Sequence, residues 1–453
     1  VQCYLLLGTR LFQQSMRNAL APLIVFMSGE FDIGTTQKGA LLSAIAAGYF
    51  FTQVPGGALA DKLGAKNVIT VALTLSALCC IALPTSCDRF GVGGLWVTMA
   101  LMGAVQGPLF PTSTVYLSRW MPRATAEGGD EKAWGTSMLD IGISVGSLAV
   151  IPAANGLAGA LGWRGAYIAI GLLSLGFIAL WQLFAADEPR RCFFISEAEL
   201  RFLDENVPKA KVAKVTPGAA TGDGANGADG EQPGWLGMPA RLLLRSGLWA
   251  VFFAHIAFNF GAYYMTNWSP TYYAEVLNVP PADAKIHLIM PHITNLASKS
   301  LNPTLVAMAE RRGYSLLASR RIFTFAGFFG AAVFLLPVHR LKFANPWVST
   351  VLFSLANACF GLAPSGFKAN YLDVTVRYVG VVSGYGNTLG TVASWVGPQL
   401  VALILHHVKS WDAVLVTVAT VNMMAASNYL RHATVTPIES DEGSDAAAKA
   451  KQS

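Results

Sequence analysis

The chain has 453 residues, 53% of them hydrophobic and 13% charged. Soluble globular domains carry about 25% charged residues, so this balance excludes an ordinary water-soluble domain. The net charge of +6 comes without a basic-aromatic surface module and is no sign of a nucleic-acid partner. The six cysteines follow no metal-ligand spacing, and Cys79-Cys80 sits inside an apolar run, which leaves no disulfide or metal role to assign. The chain opens on Val1 rather than Met, so any targeting segment lies beyond what the sequence displays.

A membrane-spanning helix needs about 20 mainly apolar residues. Runs of that kind are legible near 5–28, 38–60, 67–86, 95–117, 134–158, 164–186, 246–274, 285–308, 321–338, 345–366, 378–406 and 411–430. They predict an all-α polytopic membrane protein of about twelve transmembrane helices. Lys and Arg set its orientation. The even-numbered connections and their flanks carry Lys62, Lys66, Arg119, Arg123, Lys132, a dense set from Arg190 to Arg245, Arg311, Arg312, Arg320, Arg321, Lys368 and Arg377. The odd-numbered connections hold only scattered cations such as Arg89, Arg164 and Lys409. The positive-inside rule then places both termini and the central loop in the cytoplasm or on the equivalent side of an organelle.

In chain order, the first span carries Arg17 midway along an apolar helix. An unpaired cation in hydrocarbon costs on the order of 3 kcal/mol on insertion scales. Arg17 therefore either faces a polar cavity, where its fork suits a phosphate or carboxylate, or snorkels or pairs internally. The second span holds Tyr49 and Gln53 and runs through Pro55-Gly56-Gly57 into Asp61-Lys62-Leu63-Gly64-Ala65-Lys66, a charged turn from which the third span starts at once. Two spans so joined form a hairpin, and the glycines permit close helix contact. Gln106 falls within the fourth span. The fifth contains a lone acid, Asp140, which reads either as a coupling group whose charge answers to burial and nearby cations, or as a fixed bond that holds the bundle.

Residues 187–243 form the one long non-apolar stretch, a cytoplasmic loop between an N-terminal six-helix bundle (1–186) and a C-terminal one (244–432). The loop opens with a short amphipathic helix for which Ser196 is the expected cap. It continues through Thr216 to Gly230 as a Gly/Ala/Asp linker too polar to order. In the second half, His255 and Asn259 lie one turn apart on the seventh span, and Lys299 interrupts the eighth. Lys299 reads either as an anion contact or as a cation near enough to an end to reach water. Asp373 and Arg377 are four apart and are expected to pair on one helical face. Asn387 lies in the eleventh span, and the tail, 433–453, is polar and expected to be disordered. Two six-helix bundles around a midplane cavity are a transporter architecture.

Gly57, Asp61, Lys62, Gly64 and Lys66 match at fixed spacing the loop between the second and third helices of the major facilitator superfamily, which the chain resembles. A finer resemblance is to its anion:cation symporter family, which includes vesicular glutamate, sialin-like and plant and algal type-four phosphate transporters. It rests on Arg17-Asn18-Ala19-Leu20, Gly48-Tyr49-x-x-Thr52-Gln53-x-x-Gly56-Gly57, Gln106-Gly107-Pro108-Leu109-Phe110-Pro111, Trp268-x-Pro270-x-Tyr272-Tyr273 and Gly366-Phe367-Lys368-Ala369-Asn370-Tyr371-Leu372-Asp373. The resemblance implies that Arg17 binds the anion and that His255 and Asn259 face the cavity. It also shows departures: Gln106 stands where relatives carry an acid, Met16 and Met99 replace an Asp and an Arg, and Lys299 replaces a small residue. Asp140 is the clearest substitute for the missing acid.

The expected function is secondary active transport of a small anion, inorganic phosphate first, by alternating access with H+ or Na+ coupling. Organic anions such as ascorbate, sialate, dicarboxylates or glutamate are the alternative, and a non-transporting family member is a weaker one. Arg17, Tyr49, Gln53, Gln106, His255, Asn259, Lys299 and Asn387 are the expected substrate contacts and Asp140 the coupling group. Asp61, Lys62, Lys66, Asp373 and Arg377 are placed at the cytoplasmic gate. No enzyme chemistry, cofactor or metal is expected, and no Walker loop is present for ATP drive. The plastid envelope, an internal vesicle and the plasma membrane all fit.

Overall fold

The computed structural model describes residues 1–28, 30–31, 35–122, 131–207, 238–280, 283–340 and 345–440. Within them the chain is helical throughout: α1 Gln2–Asn18, α2 Leu20–Ser28, α3 Thr35–Leu63, α4 Ala65–Gln106, α5 Leu109–Trp120, α6 Glu131–Phe184, α7 Glu197–Asn206, α8 Ser246–Asn267, α9 Ser269–Glu275, α10 Ala284–Arg311, α11 Leu316–Leu335, α12 Pro337–Arg340, α13 Pro346–Asn370, α14 Val379–His407 and α15 Trp411–His432. Helices satisfy their own backbone polar groups, which lipid does not do for them.

Seven stretches are apolar and long enough to cross a membrane, and two of these, Ala65–Trp120 and Glu131–Phe184, are 56 and 54 residues long. Each long stretch folds back on itself at a glycine: Gly91 (φ 59°) within α4 and Gly162 (φ 71°) within α6 leave the helical region for backbone that residues with a Cβ rarely adopt. They therefore count as two passes each. The α1–α2 pair, α3 and α10 add three more passes, each diluted by polar or charged residues. Twelve passes result, and of the polar ones α3 packs on α14 and α10 on α6, across the halves.

Two large apolar cores form, and a small third cluster of Ala133, Val306, Phe323 and Ala369 joins the halves. One is built on the helices before residue 204 and the other on those after residue 237. They exchange a few side chains: Leu372 and Val379 join the first core, Ala58 and Phe110 the second. Large apolar residues such as Phe51, Leu101, Leu173, Val351 and Leu403 remain on the outside, as a lipid-facing surface requires.

The loop helix α7 begins as expected, with the Ser196 hydroxyl accepting the Glu199 N–H at 3.2 Å. The linker from Thr216 to Gly230 lies outside the described residues. The tail departs from expectation. Its first residues, 433–440, pack beside the turn between α13 and α14, with Ala433 and Ile438 buried. The Ile438 N–H donates to the Val374 carbonyl at 2.9 Å. One Glu439 oxygen, Oε1, accepts the Thr375 hydroxyl and the N–H groups of Val376 (3.2 Å) and Arg377 (3.0 Å). A polar composition concealed this strap because its partners are three backbone-exposing residues of a distant turn. Residues 441–453 lie outside the described ones.

Candidate functional site

The halves meet along a series of polar contacts that starts near the middle of the spans and runs to their ends on the side of the central loop. Closest to the middle, the Lys299 ammonium on α10 donates to the Ser144 hydroxyl on α6 at 3.0 Å, and Phe50 on α3 stacks on Trp395 of α14. Next, the Asn387 amide donates to the Tyr49 hydroxyl at 3.0 Å and to the Gln53 amide oxygen, while the Gln53 amide donates to Thr391 at 3.1 Å. These residues are all near the second-half turn where Gly384 lies against Gln53.

A second set of contacts across the halves makes up the charged centre. Asp140 on α6 accepts the Lys368 ammonium of α13 at 2.7 Å, across the interface. Both groups are buried, at 3% and 8% exposure. Its second oxygen, Oδ2, is buried with no hydrogen-bond partner. Lys299 and Arg10 are the next cations acting on this carboxylate. Arg10 is 5% exposed, faces the Phe110 ring and donates to Gln13, while its Nε has no partner. Arg17 lies seven residues further along α1, two turns or about 10 Å, on the same face, with its guanidinium 4.8 Å from the Tyr49 ring centroid. Among the described residues, four cations therefore share this region with a single carboxylate.

His255 sits beside this centre, its Nδ1 3.0 Å from the Tyr371 hydroxyl and its ring against Phe110, Phe367 and Tyr371. Asn259 and His255 both face Gly390 of α14, where a Cβ would meet the Asn259 amide at 2.5 Å. Gln106 is fully buried, and neither of its amide atoms has a hydrogen-bond partner.

At the end of the spans on the side of the central loop, two acids hold the opposite half. Asp61, at the end of α3, caps α14 by accepting the Gly380 and Val381 N–H groups at 3.0 and 3.2 Å, which satisfies donors that a helix N-terminus leaves free. This approach needs glycine on both sides: a Cβ on Gly57 would lie 2.1 Å from the Gly380 carbonyl oxygen, and one on Gly380 would lie 2.3 Å from that of Gly57. Asp373, in the turn between α13 and α14, takes Lys132 of α6 at 2.7 Å and Arg320 of α11 at 2.8 Å, with all three groups almost fully buried. Asp187 performs the same capping within the first half, accepting from Ala65 (2.8 Å) and Lys66 (2.9 Å) and pairing with Arg119.

The sequence-predicted residues fall into place unevenly. The Asp373–Arg377 pair is corrected: residues 371–378 are a turn rather than a helix, Asp373 faces Lys132 and Arg320, and Arg377 turns outward over the Tyr378 ring. Lys299 is buried, which removes the alternative that it reaches water. Lys62 is exposed, and the Lys66 side chain donates to the Gln182 carbonyl at 2.9 Å, within the first half. Arg10, Lys368, Lys132 and Arg320 were missed as site residues. Arg10 had a signal, the seven-residue spacing to Arg17; Lys368 had only its place near a helix end, which reads as a topological charge.

Comparison with known proteins agrees with this architecture. The family model of the Major Facilitator Superfamily matches residues 6–398, and the chain belongs to that superfamily as a multi-pass membrane protein. It is 26% identical over 393 residues to the rice (Oryza sativa subsp. japonica) probable anion transporter 4, chloroplastic, a match covering 86% of this chain and 61% of that protein. Over 393 residues it is also 26% identical to the Arabidopsis thaliana chloroplastic ascorbate transporter, covering 86% and 66%. The match to the Arabidopsis thaliana chloroplastic sodium-dependent phosphate transport protein 1 is 26% over 392 residues, covering 86% and 70%. The chain thus spans about two thirds of the length of these relatives. Among solved structures, the proton:xylose symporter XylE superposes with a TM-score of 0.70 at 13% identity over 96% of each chain, which establishes the shared fold.

Proposed function

We propose that this protein is a secondary active transporter of a small anion, inorganic phosphate first, that works by alternating access and is driven by a cation gradient. The observation that carries the reading is the imbalance of charge between the halves: the buried Arg10, Lys299 and Lys368 and the half-buried Arg17 against Asp140 alone among the described residues. Buried cations in excess of acids are costly in a membrane unless an anion joins them, and two arginine forks with two ammonium groups suit an oxyanion. In this reading Tyr49, Gln53, His255, Asn259 and Asn387 supply hydrogen bonds around the anion, Gln106 presents an unused amide, and Asp140 responds to its arrival. Asp61 and Asp373 hold the cytoplasmic side shut until the halves rock apart. The names of the relatives support anion transport, while phosphate and ascorbate appear among them as different substrates.

The test is uptake of radiolabelled phosphate by proteoliposomes containing the purified chain. The expected outcome is saturable uptake in the wild type and a loss of at least about tenfold in Arg10→Ala and Arg17→Ala, since each removes a charge-assisted contact worth about 1.5–3 kcal/mol. Uptake of ascorbate or dicarboxylates with no uptake of phosphate would replace the substrate and keep the mechanism.

A further inference from the structure

Between the loop helix α7 and the second half lies a pocket of about 610 Å³ that the transport reading does not use. Pockets of about 300–1,000 Å³ enclose small organic molecules. Its walls come from two sources: Arg190, Leu203 and Val207 from the loop that follows the first half, and Thr375, Val376 and Arg377 from the turn that bears Asp373. The loop wall is fixed to the first half, because Asp187 accepts from Ala65 and Lys66 and pairs with Arg119, which also lines the pocket. The opposite wall is fixed by Glu439, which accepts the Thr375 hydroxyl and the N–H groups of Val376 and Arg377. Asp61 and Lys132 of the closure line the pocket as well. Asp140 stands eight residues beyond Lys132 on α6, about 12 Å away along the helix. The small cavity at Asp140 shares no lining residue with the pocket.

The charges on these walls are committed unequally. Lys132 is held by Asp373, Arg119 by Asp187, and Asp61 is engaged by α14. Arg190 pairs with Asp204 at 2.9 Å, but its side chain is 68% exposed, and exposed pairs exchange partners at little cost. Arg377 is exposed and, among the described residues, has the Tyr378 ring at 5.4 Å and no carboxylate. Two guanidinium groups on opposite walls are thus open to one anion. A phosphate monoester presents three terminal oxygens and can take both forks at once, whereas a carboxylate, with two oxygens in one plane, serves one. Val115, Leu203, Val376 and Val379 supply apolar surface for an organic body. Glu188, whose carboxylate among the described residues meets only Arg191, at 3.9 Å, can accept from hydroxyl groups on that body.

We propose that this pocket is an effector site for an organic phosphate with a hydroxyl-bearing body, of sugar-phosphate or nucleoside-monophosphate size, and that the bound phosphate holds the two halves together on the loop side. The phosphate bridges Arg190 and Arg377 only while their walls face each other. When the halves part on this side, the arginines separate and the site is lost. The ligand therefore draws the population toward the state closed on the loop side and slows the transport cycle without entering the charged centre. Binding stands on the pocket alone, while the slowing rests on the transport reading above.

Equilibrium dialysis of labelled AMP and ribose 5-phosphate against the purified full chain in detergent measures the site without transport. Saturable binding of at least one of them is expected, with adenosine and inorganic phosphate each at least about tenfold weaker. Arg190→Ala and Arg377→Ala should each weaken binding by at least about tenfold. Val376→Trp, which fills the pocket and keeps both arginines, should abolish it. In wild-type proteoliposomes with the ligand on both sides at ten times its Kd, exchange of labelled phosphate should fall by up to about tenfold. Exchange by Arg190→Ala should start at the wild-type rate and resist the ligand. Binding of neither compound by a monodisperse wild type overturns the proposal. So does binding that survives both arginine substitutions and is lost in Arg17→Ala, which assigns the ligand to the charged centre. Lipids carry the same phosphate monoester, so short-chain phosphatidic acid is titrated in parallel, and its binding with none of the soluble compounds overturns the soluble ligand. Binding through both arginines with unchanged exchange overturns the holding role. Absence of phosphate exchange in the wild type counts against the phosphate-transport reading, and dialysis still decides the site.

Discussion

Asp373 and Asp140 each take a lysine of the opposite half at 2.7 Å, and each has an arginine of its own half nearby, yet the two arrangements are not equivalent. Both oxygens of Asp373 are engaged, one by Lys132 and the other by Arg320, and Lys132 also donates to the Leu372 carbonyl at 3.1 Å. Asp140 uses one oxygen and leaves the other buried without a partner, beside cations that exceed it in number. A saturated ion cluster resists change because every group that moves leaves another uncompensated. An unsaturated one with surplus cations can exchange partners. The first arrangement suits a closure and the second a binding centre, although their sequence signals, an acid near or within a span, are alike.

The comparison makes a clear prediction about stability. Asp373→Ala strands Lys132 and Arg320 and is expected to cost about 3–5 kcal/mol, read as a large fall in thermal unfolding temperature in detergent. Lys368→Ala should cost less, about 1–3 kcal/mol, because Lys299 and Arg10 still face Asp140. If Lys368→Ala proved the more damaging of the two, the distinction between closure and binding centre would be wrong.

A smaller effect is expected at the neighbouring helix end. Asp61→Asn weakens the cap on α14 by about 1 kcal/mol, too little to unfold the protein but enough to shift the balance between its two faces. A cysteine placed at Ser137, buried beneath the closure, should then be labelled faster from the cytoplasmic side. An unchanged labelling rate would remove Asp61 from the closure and leave Asp373 to hold it.

The smallest effect belongs to the outer face, where Arg164 binds Glu30 and Asp88 and the Trp163 ring N–H donates to Glu30 at 2.9 Å. Hydrogen bonds from Arg164 and Trp163 lower the Glu30 carboxyl from 4.5 to about 2. A depressed carboxyl contributes stability that is fully present above its ordinary value and is lost as pH falls toward the folded-state value. The difference in unfolding temperature between wild type and Glu30→Gln should therefore be small at pH 6, shrink between pH 4.5 and 2, and diminish with added salt because the groups are exposed. A difference that grows on acidification would contradict the assignment.

Much of the fold was legible because its determinants are local. Apolar runs of span length, the glycine-bounded turns and the loop cations are all read within a window of about 20 residues. The same is true of Arg17, Lys299 and Asp140, which stand out as charges in apolar surroundings. Their partners do not. Asp140 and Lys368 are 228 residues apart, and Lys132 and Asp373 are 241 apart, so no spacing rule connects them. Spacing pointed instead to Arg377 as the partner of Asp373, since four residues suit a helix; the backbone there is a turn and the rule does not apply. Lys368 was hidden for a related reason, since it stands two residues before the end of α13, where a lysine ordinarily reports topology.

The strap formed by residues 433–440 gives the C-terminus a mechanical role. Because Glu439 accepts the Thr375 hydroxyl and the N–H groups of Val376 and Arg377, and the Ile438 N–H donates to Val374, the last span and the turn bearing Asp373 are hitched together from outside the bundle. Load applied to the chain beyond Ser440 is delivered to the turn that closes the cytoplasmic side, much as a cord attached to a latch transmits a pull. A bulky fusion joined directly after Ser440 is therefore expected to loosen that turn, although it lies far from the charged centre around Asp140.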